Sequence, residues 1–80
     1  MKDVKITAAC FVPKENVKFY TAYDGFAVKK YVRAMKKDGK VLDLTRGKRI
    51  NTVIILSDGT IITVNTQLKV INERMEDANA

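Results

Sequence analysis

Histidine and tryptophan are absent from this sequence of 80 residues, and cysteine and proline each occur once. The single cysteine, Cys10, cannot form an intramolecular disulfide, and a chain without histidine lacks a paired ligand set for zinc. We interpret Cys10 as a small hydrophobic residue of a strand. Long hydrophobic runs are also missing, since the longest, residues 6–12, is far short of the ~20 residues that span a bilayer. With no signal-peptide core after Met1, we expect a cytoplasmic protein that does not enter a membrane.

Catalytic constellations are missing as well. The chain has no glycine-rich phosphate cradle and no serine or cysteine set beside a plausible base. Asp43 and Asp58 could be imagined as a carboxylate pair, but a turn explains Asp58 and the end of a strand explains Asp43. We expect a protein that is not an enzyme and that needs neither a cofactor nor a metal ion.

Basic residues outnumber acidic ones by 15 to nine, which gives a formal net charge of +6. The excess precedes the C-terminal segment, because residues 1–65 hold 13 of the 15 bases and six of the nine acids. Such a cationic surface favours a polyanionic partner. Hydrophobic residues make up 46% of the chain, the balance of a folded protein. We expect one domain over residues 1–80, with a frayed polar end at residues 76–80.

The N-terminal half predicts two strands and a helix. Apolar residues alternate with others over residues 4–10, which indicates a strand before Pro13. After a turn, residues 17–23 are rich in β-branched and aromatic side chains and predict a second strand. Helical spacing of apolar residues then predicts a helix over residues 26–38, with Asp24 as its N-cap and Gly39 at its C-terminal end.

One face of this helix is strongly basic. At about 100° per residue, the side chains that fall on it are Lys29, Arg33, Lys36 and Lys37, with Lys30 at its edge. An ordinary exposed helix face mixes both signs of charge, because oppositely charged i,i+4 pairs stabilise it. The face is therefore either a solvated surface that keeps the protein soluble or a contact surface for a polyanion.

A loop follows the short strand that begins at residue 41, and three cations surround its single glycine. These residues are Arg46, Gly47, Lys48 and Arg49. Glycine lets the backbone approach a partner closely, and guanidinium and ammonium groups suit phosphate oxygens or the acceptor edge of guanine. The alternative is a hairpin turn whose charges only prevent pairing at a sheet edge.

Asp58–Gly59 is the clearest hairpin signal, because apolar segments flank it on both sides. A two-residue loop predicts that Ile55 faces Ile62 and Ile54 faces Thr63. In that register both faces of the hairpin are apolar: Val53, Ile55, Ile62 and Val64 lie on one, and Ile54, Leu56 and Ile61 on the other. One helix covers one face only. The second face therefore needs the C-terminal helix, predicted over residues 67–77, or a neighbouring subunit.

Together these elements predict an α+β domain, a small antiparallel β-sheet with one central amphipathic helix and a C-terminal helix. A core of this length is only modestly stable alone, which also favours association between copies of the chain.

The run from Lys40 to Arg49, followed by an aliphatic strand and Asp58–Gly59, resembles the RemA family of small bacterial regulators of extracellular-matrix genes. The family's pattern is a basic helix, a glycine, Asp-x-Thr-x-Gly, two adjacent cations and an aliphatic strand. The residues that match are Asp43, Thr45, Gly47, Lys48 and Arg49. The match runs without gaps from about Phe11 to Val64. It departs at residues 7–10, where the family is rich in glycine, and at Asn16, where the family has a basic residue.

The resemblance implies that Lys48 and Arg49 contact DNA and that the chain forms homo-oligomers, with rings as the expected form. Our hypothesis is a bacterial DNA-binding transcription regulator whose partners are duplex DNA and further copies of itself. The residues expected to bind DNA are Arg46, Gly47, Lys48, Arg49, Lys29, Arg33 and Lys37. One alternative is an RNA-binding protein, in which Phe19, Tyr20 and Tyr23 stack on bases. The other is a non-enzymatic assembly module whose charge only maintains solubility.

Overall fold

A computed structural model describes residues 2–77 as three layers of strands and helices. The elements are β1 (Asp3–Thr7), β2 (Cys10–Pro13), β3 (Val17–Ala22), α1 (Phe26–Lys37), β4 (Val41–Asp43), β5 (Thr52–Leu56), β6 (Ile61–Val64) and α2 (Leu68–Asp77). A 3₁₀ turn, Lys14–Asn16, joins β2 to β3 where the sequence predicts a turn. The predicted α+β class, with one central and one C-terminal helix, is confirmed.

The larger sheet has four strands in the order β3-β5-β6-β4, so that β3 and β4 are its edges. The pairs β3–β5 and β5–β6 are antiparallel, whereas β4 runs parallel to β6. The prediction of a purely antiparallel sheet is therefore wrong at β4. The cause is α1, which carries the chain back to the end of the sheet where β3 began, so that β4 runs in the same direction as β3.

β1 and β2 form a separate antiparallel hairpin, with Thr7 opposite Cys10 across a tight turn. The single strand predicted over residues 4–10 is therefore wrong, because the chain reverses inside it. This turn contains none of the residues that usually mark one. Its local support is a hydrogen bond from the Ala9 N–H to the Thr7 hydroxyl oxygen, at 3.2 Å. Cys10 is a half-buried strand residue, as predicted.

Helix α1 begins at Phe26, as predicted, and ends at Lys37, one residue before the predicted end at Asp38, but its N-cap is not the predicted one. Its N-cap is Gly25, with a φ of 88°, and no side chain caps the first turn. The prediction that Asp24 is the N-cap is therefore wrong. Its carboxylate accepts a hydrogen bond from the Gly25 N–H instead. At the other end Gly39 adopts a φ of 72°, and the Lys40 N–H donates to the Met35 carbonyl at 3.1 Å. This is the Schellman arrangement that a glycine makes possible.

The β5–β6 hairpin is present, but its register differs from the prediction by one residue. Ile55 faces Ile61, and Ile54 faces Ile62. The loop is one residue longer than predicted, because Gly59, with a φ of 92°, is its third residue instead of its second. In consequence Ile54 and Ile61, which the prediction places on one face, lie on opposite faces of the sheet.

Both faces of the sheet are apolar, as predicted, and both are covered within the chain. On one face Val32 of α1 packs against Val53, Ile55 and Ile61. The opposite face packs against the β1–β2 hairpin and α2. The buried residues of that cluster are Val4, Ile6, Val12, Ile54, Ile62, Val64, Ile71 and Met75. The sequence left two alternatives for covering the second face, the C-terminal helix or a neighbouring subunit. The C-terminal helix is correct, and the β1–β2 hairpin covers part of the same face.

Helix α2 also joins the two ends of the chain. The Arg74 guanidinium donates to the Ile6 carbonyl at 3.1 Å and to the Lys5 carbonyl at 3.3 Å. Residues 76 and 77, predicted as part of a frayed end, belong to α2, and residues 78–80 lie outside the described residues. Between residues 2 and 77, neither helix has the length and apolar character that crossing a bilayer requires.

Replacing Ile54 by alanine should lower the free energy of unfolding by about 2–5 kcal/mol, because the side chain is fully buried between two layers. Phe11→Ala is a suitable control, since Phe11 is 57% exposed and should cost less than about 1 kcal/mol. Urea denaturation at one protein concentration measures the loss of unfolding free energy in both variants. Equal losses would contradict the three-layer packing.

Candidate nucleic-acid interface

The basic loop, residues 44–51, connects β4 to β5 across one end of the sheet. Apolar side chains on opposite faces of the sheet fix its two ends. Leu44 packs against the buried cluster on the face covered by the β1–β2 hairpin and α2, and Ile50 packs against the cluster on the face covered by α1. The exposed residues between them are Arg46, Gly47, Lys48 and Arg49. The loop predicted from the sequence is therefore confirmed, and its cations lie in solvent.

A carboxylate at the end of β4 organises the start of this loop. One oxygen of Asp43 accepts hydrogen bonds from the Thr45 hydroxyl (2.7 Å), the Thr45 N–H (3.0 Å) and the Thr63 hydroxyl (3.0 Å). Both threonines are buried, whereas the carboxylate itself reaches solvent. The hydrogen bonds from Thr45 are the main cause that lowers the pKa of Asp43, because they stabilise its charged form. We call these three residues the Asp43 cluster.

The loop turns sharply immediately after this cluster. The Lys48 N–H donates to the Thr45 carbonyl at 3.1 Å, which closes a four-residue turn. Its two central residues both have positive φ, 55° at Arg46 and 81° at Gly47. This is a type I′ turn, which suits glycine and asparagine. A residue with a larger side chain costs about 1 kcal/mol or more in this conformation, and Arg46 alone adopts it among the described non-glycine residues.

Asparagine side chains hold the other end of the loop. The Asn65 amide donates to the Arg49 carbonyl at 2.6 Å, and the Asn51 amide donates to the Asn65 carbonyl. The Asn51 N–H also bonds the carbonyl of Val64, the last residue of β6. Hydrogen bonds from β6 and from the residue after it therefore hold the backbone on both sides of the turn.

The loop cations themselves have no partners among the described residues. Within residues 2–77, the side chains of Arg46, Lys48 and Arg49 make no hydrogen bond or ion pair. No acidic side chain in that part of the chain therefore neutralises their positive charges by direct contact. A rigid backbone that carries unpaired cations is suited to binding an anionic surface.

The predicted helix cations do not all converge on this loop. The Phe26 end of α1 lies at the loop's end of the sheet, since Ala22 of β3 pairs with Thr52 at the start of β5. Along the helix axis, Lys37 is about 12 Å beyond Lys29. Lys29 therefore lies toward the loop, and Arg33 and Lys37 extend away from it as an exposed basic strip.

The three aromatic residues proposed for base stacking do not form one exposed platform. Phe19 is 48% exposed. The Tyr20 hydroxyl, however, donates to the Asn72 side chain at 2.6 Å, and Tyr23 packs against the α1-side core. The Tyr23 ring also lies beneath the Lys29 ammonium, at 5.7 Å from its centroid. Two of the three aromatics therefore have structural roles.

The turn of the β1–β2 hairpin faces the basic loop. Residues Thr7 to Cys10 and Arg46 line one cleft of about 480 Å³. Sequence reasoning did not place these segments together, because they are some 35 positions apart and the hairpin itself was not predicted. The segment that departs from the family pattern therefore borders the loop that matches it.

Sequence reasoning also missed the residues that hold the loop. The sequence explains Asp43 only as the end of a strand, and it indicates no role in the loop for Thr63, Asn51 or Asn65. The only signal for them was the Asp-x-Thr-x-Gly match, which contains Asp43 and Thr45 but not their partner Thr63.

The imagined carboxylate pair does not form. Asp43 lies at the loop's end of the sheet, whereas Asp58 lies in the hairpin loop at the opposite end, where it accepts a hydrogen bond from the Thr60 N–H at 2.9 Å. No group of three or more carboxylate or cysteine side chains in residues 2–77 is arranged to hold a metal ion. The features at the loop are those of a binding surface.

Acid should destabilise the protein through Asp43. Because its pKa in the folded chain lies below the ordinary value of 3.8, its contribution to stability is complete above about pH 4 and is lost as the pH falls through the folded pKa. Asp58, whose pKa is lowered by its hydrogen bonds with Thr60, acts in the same direction. The urea midpoint of the wild-type protein should therefore stay constant between about pH 7 and 5 and should be lower at about pH 3.

Asp43→Asn removes the titrating group, so its urea midpoint should be lower at neutral pH and should fall less on acidification. Glu15→Gln is the control, because Glu15 is exposed and makes no hydrogen bond within the described chain. It should keep the full acid-induced fall. A fall in Asp43→Asn as large as in the wild type would contradict the role of the Asp43 cluster.

Comparison with known proteins supports the resemblance carried by the loop. A search of curated proteins gives no significant match. The model of the RemA-like family, described as extracellular matrix regulatory protein A-like, matches residues 4–75. This range includes the basic loop, the Asp43 cluster, α1 and the first turns of α2. The chain therefore belongs to the RemA-like family.

Proposed function

We propose that this protein is a DNA-binding transcription regulator that acts as a homo-oligomer and binds duplex DNA through the basic loop. The observation that carries the proposal is a turn held at both ends by hydrogen bonds, with three cations that have no partner in the described chain. Phosphate oxygens are the groups that such cations suit best. In this proposal the protein is not an enzyme and requires no cofactor.

The helix cations have a different part in this proposal. Arg33 and Lys37 lie along an exposed strip that leads away from the loop. From there they raise the positive potential around the loop and contact phosphates without reading sequence. Lys48 and Arg49 act directly, since their backbone is fixed relative to β6 by the Asn65 amide.

Self-association is supported by apolar surfaces at the two edges of the sheet. Helix α1 lies nearest β4, which leaves an apolar groove beside β3 lined by Phe19, Val28 and Tyr31. At the opposite edge, Leu42 of β4 is 47% exposed. A groove at one edge and an exposed leucine at the other suit head-to-tail contacts between copies, and a closed ring of such contacts puts every loop on the same side. An uncovered sheet face, the basis predicted for self-association, is absent from the described residues, because both faces are covered within the chain.

Regulation of extracellular-matrix genes in a bacterial cytoplasm is the biological role that we propose from the family. Several loops on one surface would bind a DNA segment together, so that weak contacts of each subunit add to strong binding of the assembly. The family match supports this role.

Replacing both Lys48 and Arg49 by alanine should sharply weaken binding to duplex DNA and leave the fold intact, because exposed cations contribute little to stability. The slope of log affinity against log salt should fall by about 0.9 for each phosphate that the variant no longer neutralises. The matched control is Arg33→Ala with Lys37→Ala, which removes the same charge. It should weaken binding less, and equally for all sequences. Fluorescence anisotropy at two salt concentrations measures both variants.

Competition among duplex DNA, RNA and heparin completes the test. Preferred binding of RNA would favour the RNA-binding alternative. If the protein binds none of the three polyanions, the alternative of a non-enzymatic assembly module is favoured. If the helix variant loses DNA binding while the loop variant keeps it, the helix is the true interface and the loop assignment is wrong.

Sedimentation velocity at micromolar concentration should give a mass well above the 9.0 kDa of one chain. Leu42→Glu should shift the protein toward the monomer, because a charge at the β4 edge opposes an apolar contact there. Phe11→Glu is the control, since Phe11 is also exposed but lies on the separate β1–β2 hairpin. A strictly monomeric wild type would remove the proposal of self-association.

A further inference from the structure

The tip of the basic loop holds an amino acid that its backbone conformation disfavours. Arg46 has a φ of 55° and occupies the first central position of the turn closed by Thr45 and Lys48. Asparagine or glycine fits this conformation with less strain. Arginine at this position therefore weakens the fold slightly instead of stabilising it.

No contact within the described chain compensates for this strain. The Arg46 side chain is exposed and makes no hydrogen bond or ion pair in residues 2–77. It borders the cleft formed with the turn of the β1–β2 hairpin, where Ala8 and Ala9 are also exposed. Nothing in the described part of the chain thus explains why a long cationic side chain is at this position.

The turn nevertheless has a defined geometry. The Asp43 cluster fixes the residue before Arg46, and the Asn65 amide fixes the Arg49 carbonyl after it. A fixed backbone lowers the entropy that a side chain at its tip loses on binding. Strained residues held by surrounding structure are characteristic of functional positions.

We infer that Arg46 is a specificity-determining residue of the DNA interface, whose guanidinium makes a geometrically defined contact to a base edge. Lys48 and Arg49 supply sequence-independent contacts to phosphates. This inference rests on the proposed function. A guanidinium offers two parallel N–H donors to paired acceptors such as those of guanine, whereas an ammonium group is a point charge. The defining property of Arg46 is therefore its planar group, and lysine should not replace it.

The test begins with duplexes selected by the wild-type protein from a random-sequence library. Affinity for a selected duplex is compared with affinity for a scrambled one. Arg46→Lys keeps the charge and the backbone strain, yet should reduce the ratio of the two affinities by roughly five- to 150-fold, which is the value of one bidentate base contact. Its affinity for the scrambled duplex should stay close to that of the wild type. Lys48→Ala is the control, and should weaken both duplexes equally.

A second variant separates a role in binding from a role in folding. Arg46→Asn suits a positive φ, so its thermal midpoint should equal or exceed that of the wild type while its discrimination is lost. A thermal midpoint several degrees lower would show that Arg46 serves the fold, and would overturn the inference.

The outcomes also separate this inference from the proposed function. If the wild type binds duplex DNA but Arg46→Lys keeps the full affinity ratio, or if no sequence is selected, Arg46 is not a specificity determinant and the proposed function stands. If the wild type itself fails to bind duplex DNA, the proposed function fails, and this inference fails with it.

Discussion

The hydrogen bonds that converge on the Asp43 carboxylate connect three parts of the molecule. They join the end of the edge strand β4, the start of the basic loop and, through Thr63, the interior strand β6. Because Thr45 and Thr63 are buried, their hydroxyls need acceptors, and the carboxylate satisfies both at once. A single acidic residue thus fixes the position of the backbone from which the basic side chains of the loop extend. Its negative charge is stabilised by neutral hydrogen-bond donors and not by the cations of the loop.

The distribution of apolar surface limits how copies of this chain can associate. Both faces of the sheet are used inside one chain, by α1 on one side and by α2 with the β1–β2 hairpin on the other. Two of the exposed large apolar side chains lie at the sheet edges, Phe19 on β3 and Leu42 on β4. In the proposed assembly, contacts through the edges leave the end of the sheet, where the loop lies, open to DNA.

Local signals in the sequence predicted most elements but not their arrangement. Gly39 marked the end of α1 correctly, because one residue with positive φ is enough to close a helix. Asp58–Gly59 marked a hairpin, yet its register depended on whether Gly59 was the second or third loop residue, and composition does not distinguish these cases. For the site, the basic run and Gly47 identified the loop. The contact between Asp43 and Thr63 links residues 20 positions apart, and no local pattern encodes it.

The guanidinium of Arg74 joins the last helix to the first strand, and this has a consequence for the order of folding. The first hairpin finishes its packing only when α2 is present, since Ile71 and Met75 share a cluster with Val4 and Ile6. During synthesis on the ribosome, the apolar side of the N-terminal segment therefore stays uncovered until residues 68–77 have emerged. Contacts this distant in sequence slow folding, so the nascent chain passes through a period in which it is vulnerable to aggregation and proteolysis.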